Sequence, residues 1–106
     1  MTANLSRTLL TQIVGVTRAL QQQSISLNEA EQIVFSPAIL ELAKKRSVDA
    51  RITKLIQDGM ELENVKSMMP DKYFLSICQI EKSAHELLKA LPEYDYSGEK
   101  LLKELF

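Results

Sequence analysis

The single cysteine and the single histidine of this chain are the first candidates for reactive chemistry. Cys78 and His85 are seven residues apart on one predicted helix, so they share a face but stand about 10.5 Å apart along its axis. That distance is too long for a histidine to activate a thiol. Glu81 lies between them, but no second cysteine or histidine exists to complete a tetrahedral metal site. We therefore expect Cys78 to act as a small hydrophobic residue beside the core, and Glu81 and His85 to form a surface pair.

The sequence also lacks the residue patterns that other enzyme mechanisms require. The pairs of neighbouring acids are spaced by two residues, which splays the carboxylates apart on a helix. The three glycines are isolated, so neither a phosphate loop nor a dinucleotide fingerprint can be built. The sequence therefore predicts no catalytic residue, no cofactor-binding residue and no metal ligand, and we expect the protein not to be an enzyme.

One predicted helix, over residues 48–58, has a nucleic-acid character. It follows a basic run, and its outer face offers three side chains suited to nucleic acid: Arg51, Lys54 and Gln57. However, Asp49 and Asp58 flank that face, and the net charge is −1. These acids favour an ordinary solvated helix face, so nucleic-acid binding is retained only as the alternative function.

Features elsewhere suggest a protein partner or self-association. Methionine is common both in cores and on adaptable binding surfaces, and Met60 lies close to Met68 and Met69 in sequence. Two tyrosines flank an acid in the segment after residue 92, and an apolar run follows them. The candidate partner contacts are Met60, Tyr94, Tyr96, Leu105 and Phe106.

Length and composition set the class of the molecule. A chain of 106 residues with 45% hydrophobic residues and nearly balanced charge is expected to form one domain with its own core. No stretch approaches the roughly 20 apolar residues of a membrane span, so no membrane association is expected. A single cysteine agrees with a reducing compartment, and we expect a cytoplasmic protein.

Helical periodicity runs through nearly the whole chain. It predicts an all-α fold, a single compact irregular bundle of five to seven short helices around a long helix near residues 70–91. Residues 93–106 are predicted to be a tail with a short terminal helix. The inward stripe of the long helix is expected to include Tyr73 and Phe74, and the short helix before it to turn Met68 or Met69 inward.

Turn residues predict where these helices begin and end. Ser26 and Glu29 form a capping box, and Ser36 with Pro37 begins the third helix. Ser47 or Asp49 is expected to cap the fourth helix. Gly59 is expected to end it in the left-handed conformation, with Met60 placed against Leu55 as in a Schellman cap.

Several of the segments that contain these turn and capping residues also resemble a known protein family. The segments concerned are Leu27–Glu31, Phe35–Pro37, Asp58–Glu63 and Met69–Pro70. Between Ser26 and Leu91 the chain resembles a family of small bacterial proteins classed as a domain of unknown function. The resemblance implies a bacterial, cytoplasmic origin and transfers no activity and no site residue. The lack of catalytic residues, the uneven distribution of charge and the apolar segment at residues 101–106 instead lead us to predict a non-enzymatic protein-interaction module, either a small bacterial regulator or an immunity-type protein that covers its partner's surface.

Overall fold

Six α-helices make up the part of the chain described by the computed structural model, which covers residues 2–93 and side chains from residue 4 onward. They are α1 (Thr2–Gln21), α2 (Leu27–Ile33), α3 (Pro37–Lys45), α4 (Ala50–Met60), α5 (Leu62–Met68) and α6 (Pro70–Ala90). No strand occurs within this range. The predicted all-α bundle and its long helix are therefore confirmed. The helix predicted near the end of the tail lies outside the described residues.

Local capping chemistry begins the short helices where the sequence predicts. At α2 the Glu29 amide donates to Ser26 Oγ (3.1 Å), and the Ser26 amide donates to the Glu29 carboxylate (3.2 Å). At α3 the Ile39 amide donates to Ser36 Oγ (3.2 Å), and Pro37 occupies the first turn. These bonds satisfy amides that a helix leaves without partners at its N-terminus, so they fix each starting residue.

The predicted role of Gly59 is wrong. It has no left-handed backbone, and α4 continues through it to Met60. Gly59 is buried, and a Cβ at this position would overlap the ring of Phe35. Glycine is therefore required because it gives Phe35 room against α4, rather than because of a turn.

The two long helices form the centre of the bundle. Arg7 near the start of α1 donates to the carbonyls of Leu88 and Pro92 (both 3.3 Å), whereas Arg18 near its end contacts Glu81. This order shows that α1 and α6 run antiparallel, and the Arg7 guanidinium caps the C-terminal end of α6. The largest fully buried apolar side chains are Phe35, Leu10, Ile13, Ile52, Ile56, Leu62, Ile77 and Val34.

Within residues 2–93, none of the helices combines the length and the apolar character that a bilayer crossing needs.

Candidate protein-interaction surface

Four large apolar side chains lie exposed around the junction of α5 and α6. Met68 is 78% exposed, Phe74 59%, Leu75 56% and Met69 45%. We call these four residues the apolar tip. They lie within eight consecutive residues, and only one other large hydrophobic side chain of the described range, Ile33, is exposed to a similar degree.

The sequence of α6 forces part of the apolar tip outward. Tyr73, Phe74 and Leu75 are consecutive, and at about 100° per residue they cover some 200° of the helix circumference. Tyr73 packs against the core and Ile77 is buried, so these two residues define the inward face. Phe74 and Leu75 must then point away from the core.

The backbone of the junction holds the two methionines at the surface. Met69 ends α5 with its amide donating to the Val65 carbonyl (2.8 Å), and it also precedes the first residue of α6, Pro70. Neither α5 nor α6 has a side-chain N-cap. Met69 alone separates the two helices, and among the described residues no element covers Met68 or Met69 to more than about half.

Tyr73 is adjacent to Phe74 in sequence and packs against the core. Its ring is half-buried, and the Lys66 ammonium lies 5.5 Å from the ring centroid. Burial, and secondarily the negative charge of Glu31, raises the pKa of the Tyr73 phenol above its usual value. The phenol is thus neutral at physiological pH.

The predicted partner contacts differ from this surface. Met60 is half-buried and packs against its own core, so little of it is free for a partner. Tyr94, Tyr96, Leu105 and Phe106 lie outside the described residues. The prediction that Phe74 and one of Met68 and Met69 turn inward is wrong, because all three are exposed.

The predicted nucleic-acid face carries paired rather than free charges. Arg51 donates to both oxygens of Asp49, at 3.1 and 2.8 Å, and Lys54 pairs with Asp58 at 3.1 Å. Gln57 is exposed on the same helix. A phosphate would have to displace the carboxylate from each cation, which lowers the value of this face for nucleic acid.

The Asp49–Arg51 pair predicts a measurable titration. Hydrogen bonds from the Arg51 side chain, and then from its amide, lower the pKa of Asp49 from 3.8 to about 2. Because the folded pKa is depressed, the stabilisation is complete above about pH 3.8 and is lost as the pH falls through about 2. NMR titration of the Asp49 carboxyl carbon should give that low midpoint. In Arg51→Ala the midpoint should rise only part of the way to 3.8, since the amide remains. An ordinary midpoint in the unsubstituted protein would instead leave Arg51 free for another anion.

Glu81 is buried and joins the two long helices. It is only 8% exposed and accepts hydrogen bonds from Arg18 Nη2 (2.9 Å) and Gln21 Nε2 (2.6 Å). His85 Nε2 lies 3.6 Å from Glu81 Oε2 on the solvent side. The expected contact between Glu81 and His85 is therefore present, but the expected surface position is wrong for Glu81, which is buried, and holds only for His85.

The Cys78, Glu81 and His85 group offers little to a metal ion. No group of three or more histidine, cysteine or acidic side chains in the described part of the chain is arranged to hold a metal. Both oxygens of Glu81 already accept hydrogen bonds from α1. Cys78 is half-buried, so it lies at the edge of the core rather than within it.

Comparison with known proteins identifies a family for this chain but no activity. A family model described as a protein of unknown function, DUF3969, matches residues 2–103. No curated protein and no solved structure matches the chain. The family match begins with α1 and extends past α6, so it includes the whole bundle and the apolar tip. It also extends well beyond the Ser26–Leu91 segment that carries the resemblance in the sequence.

Proposed function

Because the chain belongs to DUF3969, a family described only as proteins of unknown function, we propose a function from the molecule itself: it is a non-enzymatic module that binds another protein through the apolar tip. The observation that carries the proposal is the exposure of Met68, Met69, Phe74 and Leu75 in one short stretch. Large apolar side chains that cluster on a surface are typical of protein interaction sites.

The composition of the apolar tip supports a protein as the ligand. Phenylalanine and methionine are enriched in protein interfaces, where an aromatic side chain supplies a large contact area and methionine adapts its shape. Binding would remove these side chains from water, which favours association by about 25 cal/mol for each Å² of apolar surface buried. Lys66 and Lys72 lie close in sequence and would contribute to a polar rim.

The finer proposal is a small bacterial regulator or immunity-type protein that works in the cytoplasm by covering its partner's surface. The family resemblance supports the bacterial and cytoplasmic part of this proposal, and the exposure of the apolar tip supports a role in covering a partner's surface. Nucleic-acid binding has weaker support, because Arg51 and Lys54 are each paired with a carboxylate. We therefore favour the apolar tip over the exposed face of α4 as the binding site.

The proposal is tested by quantitative capture with the full chain as bait in extract of its native host. The bait is compared with a Phe74→Ser, Leu75→Ser double variant. Both side chains are exposed, so we expect the variant to keep its stability within roughly 0.5 kcal/mol. The unsubstituted chain should recover one stoichiometric protein, and the variant should recover at least tenfold less of it. A Thr11→Ser, Gln12→Ser double variant on the exposed side of α1 is the control and should recover it fully.

Three results would contradict the proposal. Recovery of no stoichiometric protein would remove the interaction role. Equal recovery by the Phe74, Leu75 variant would show that another surface binds. Salt-dependent binding to duplex DNA that is lost in Arg51→Ala with Lys54→Ala would favour nucleic acid instead.

A further inference from the structure

The apolar tip is too small to form a complete protein interface by itself. An interface of ordinary size takes about 20–30 residues from each partner, whereas the apolar tip has four. A partner that binds the apolar tip must therefore also cover the surface next to it. Phe74 and Leu75 lie on the outer side of α6, so the continuation of that side along the helix is the surface to consider first.

Four residues follow one another along the outer side of α6 at helical spacing. Asp71, Leu75, Cys78 and Lys82 are separated by four, three and four residues, which is the spacing by which one helix packs against another. We call these four residues the outer seam. Asp71, Leu75 and Lys82 are exposed and Cys78 is half-buried, so none of the described helices covers the outer seam.

The outer seam is complementary in charge to a second copy of itself. Along α6 it has an acid, two apolar residues and a base, with Asp71 four residues before Leu75 and Lys82 four residues after Cys78. Two antiparallel copies would therefore place Asp71 of each copy opposite Lys82 of the other. Such exchange of contacts is what a two-fold interface requires. A parallel pair would instead place each charge opposite its own kind.

The side chains of Asp71 and Lys82 are available for these contacts. None of the ion pairs among the described residues includes either of them. Lys72 and Glu86 are the nearest other charges of α6, and they occupy flanking positions of the repeat rather than the outer seam itself. Both ends of the outer seam can thus pair with another chain without breaking an ion pair of the described bundle.

We propose that two copies of this chain pair through the outer seam, with their α6 helices antiparallel and Leu75 of each copy opposite Cys78 of the other. The inference rests on the proposed binding role of the apolar tip and identifies a second copy as its partner. Phe74 lies in a flanking position of the repeat, so pairing removes both exposed α6 members of the apolar tip from water. The contact is small, and we expect a weak, concentration-dependent dimer.

Reversal of the two charges tests the register. Sedimentation velocity of the full chain, from micromolar to millimolar concentration, measures the dimer. Asp71→Lys and Lys82→Asp each place like charges at both contacts, so each variant alone should dimerise at least tenfold more weakly than the unsubstituted chain. An equimolar mixture of the two variants should regain the dimer, because one has only cations at these positions and the other only anions. Lys44→Asp, at an exposed position of α3, is the control and should dimerise normally.

Recovery in the mixture separates the proposed contact from a folding defect, since two damaged chains would not restore one another. An unsubstituted chain that stays monomeric at every concentration would overturn the inference. So would a dimer that both single variants leave unchanged, or a mixture that regains nothing. If the chain is monomeric but the Phe74→Ser, Leu75→Ser variant still loses a protein captured from the host extract, the proposed function stands and only the self-pairing fails.

Discussion

Gly59→Ala is expected to destabilise the protein by about 1–2 kcal/mol. The added Cβ would overlap the ring of Phe35, which is only 1% exposed and therefore enclosed on all sides. Forcing extra volume into a packed core typically costs about 1–3 kcal/mol. The helical backbone at Gly59 suits alanine, whose higher helix propensity recovers up to about 1 kcal/mol, so the measured loss is the net of the two effects. Urea unfolding at neutral pH gives the value.

Gly15→Ala is the matched control and should have the opposite sign. Gly15 lies exposed within α1, and no atom beyond its own helix backbone would meet an added Cβ within 4 Å. Alanine there should stabilise the protein by about 0.5–1 kcal/mol through helix propensity alone. A Gly59→Ala protein as stable as the unsubstituted one would show that the Phe35 ring can move aside.

A double variant identifies the responsible contact. Phe35→Leu removes the ring and should itself destabilise the core. In that background Gly59→Ala should cost at least about 1 kcal/mol less than it costs alone, since contacting residues are energetically coupled. Strict additivity would mean that another neighbour of Gly59 causes the effect.

Gly59 also shows which features of this fold can be predicted from the sequence and which cannot. The capping residues of α2 and α3 act within three positions of themselves, so Ser26 and Ser36 could be identified directly. A buried glycine and a helix-ending glycine look alike in sequence. The feature that distinguishes them here is Phe35, which is 24 positions away and comes close only in the folded bundle.

The exposure of the apolar tip could be predicted only in part from the sequence. Three consecutive apolar residues from Tyr73 to Leu75 cannot all face one core, so some exposure there could be inferred from helix geometry. Which of them would be exposed depends on the rotation of α6 against α1. The exposure of Met68 and Met69 depends on how the other described helices pack around the junction of α5 and α6, which local sequence does not encode.

The burial of Glu81 could not be predicted from the sequence, because its partners come from α1. An acid on a helix with a histidine four residues later has the pattern of a surface pair. Arg18 and Gln21 are about sixty residues away, and they reach Glu81 only because α1 and α6 are antiparallel. In this cluster Glu81 is buried whereas Arg18 is exposed, so substitutions of the two residues should change the free energy of unfolding by different amounts.

Arg18→Ala is expected to cost about 2–3 kcal/mol, clearly more than Glu81→Gln. The Glu81 side chain is 11% exposed and the Arg18 side chain 60%. Without Arg18, a buried carboxylate keeps only Gln21 and the more distant His85 as partners, and an uncompensated buried charge is strongly destabilising. Without the charge of Glu81, Arg18 can turn into water, so Glu81→Gln should cost only about 1 kcal/mol.

Arg51→Ala is the control for the loss of an arginine on a helix. Arg51 and its partner Asp49 are both well exposed, and such pairs contribute about 0–1 kcal/mol. Urea unfolding of the three variants at pH 7 should therefore rank Arg18→Ala as the least stable, followed by Glu81→Gln and then Arg51→Ala. If Arg18→Ala costs no more than Arg51→Ala, then Glu81 reaches water in the folded protein, and its pair with Arg18 stabilises the contact of α1 and α6 no more than an exposed pair would.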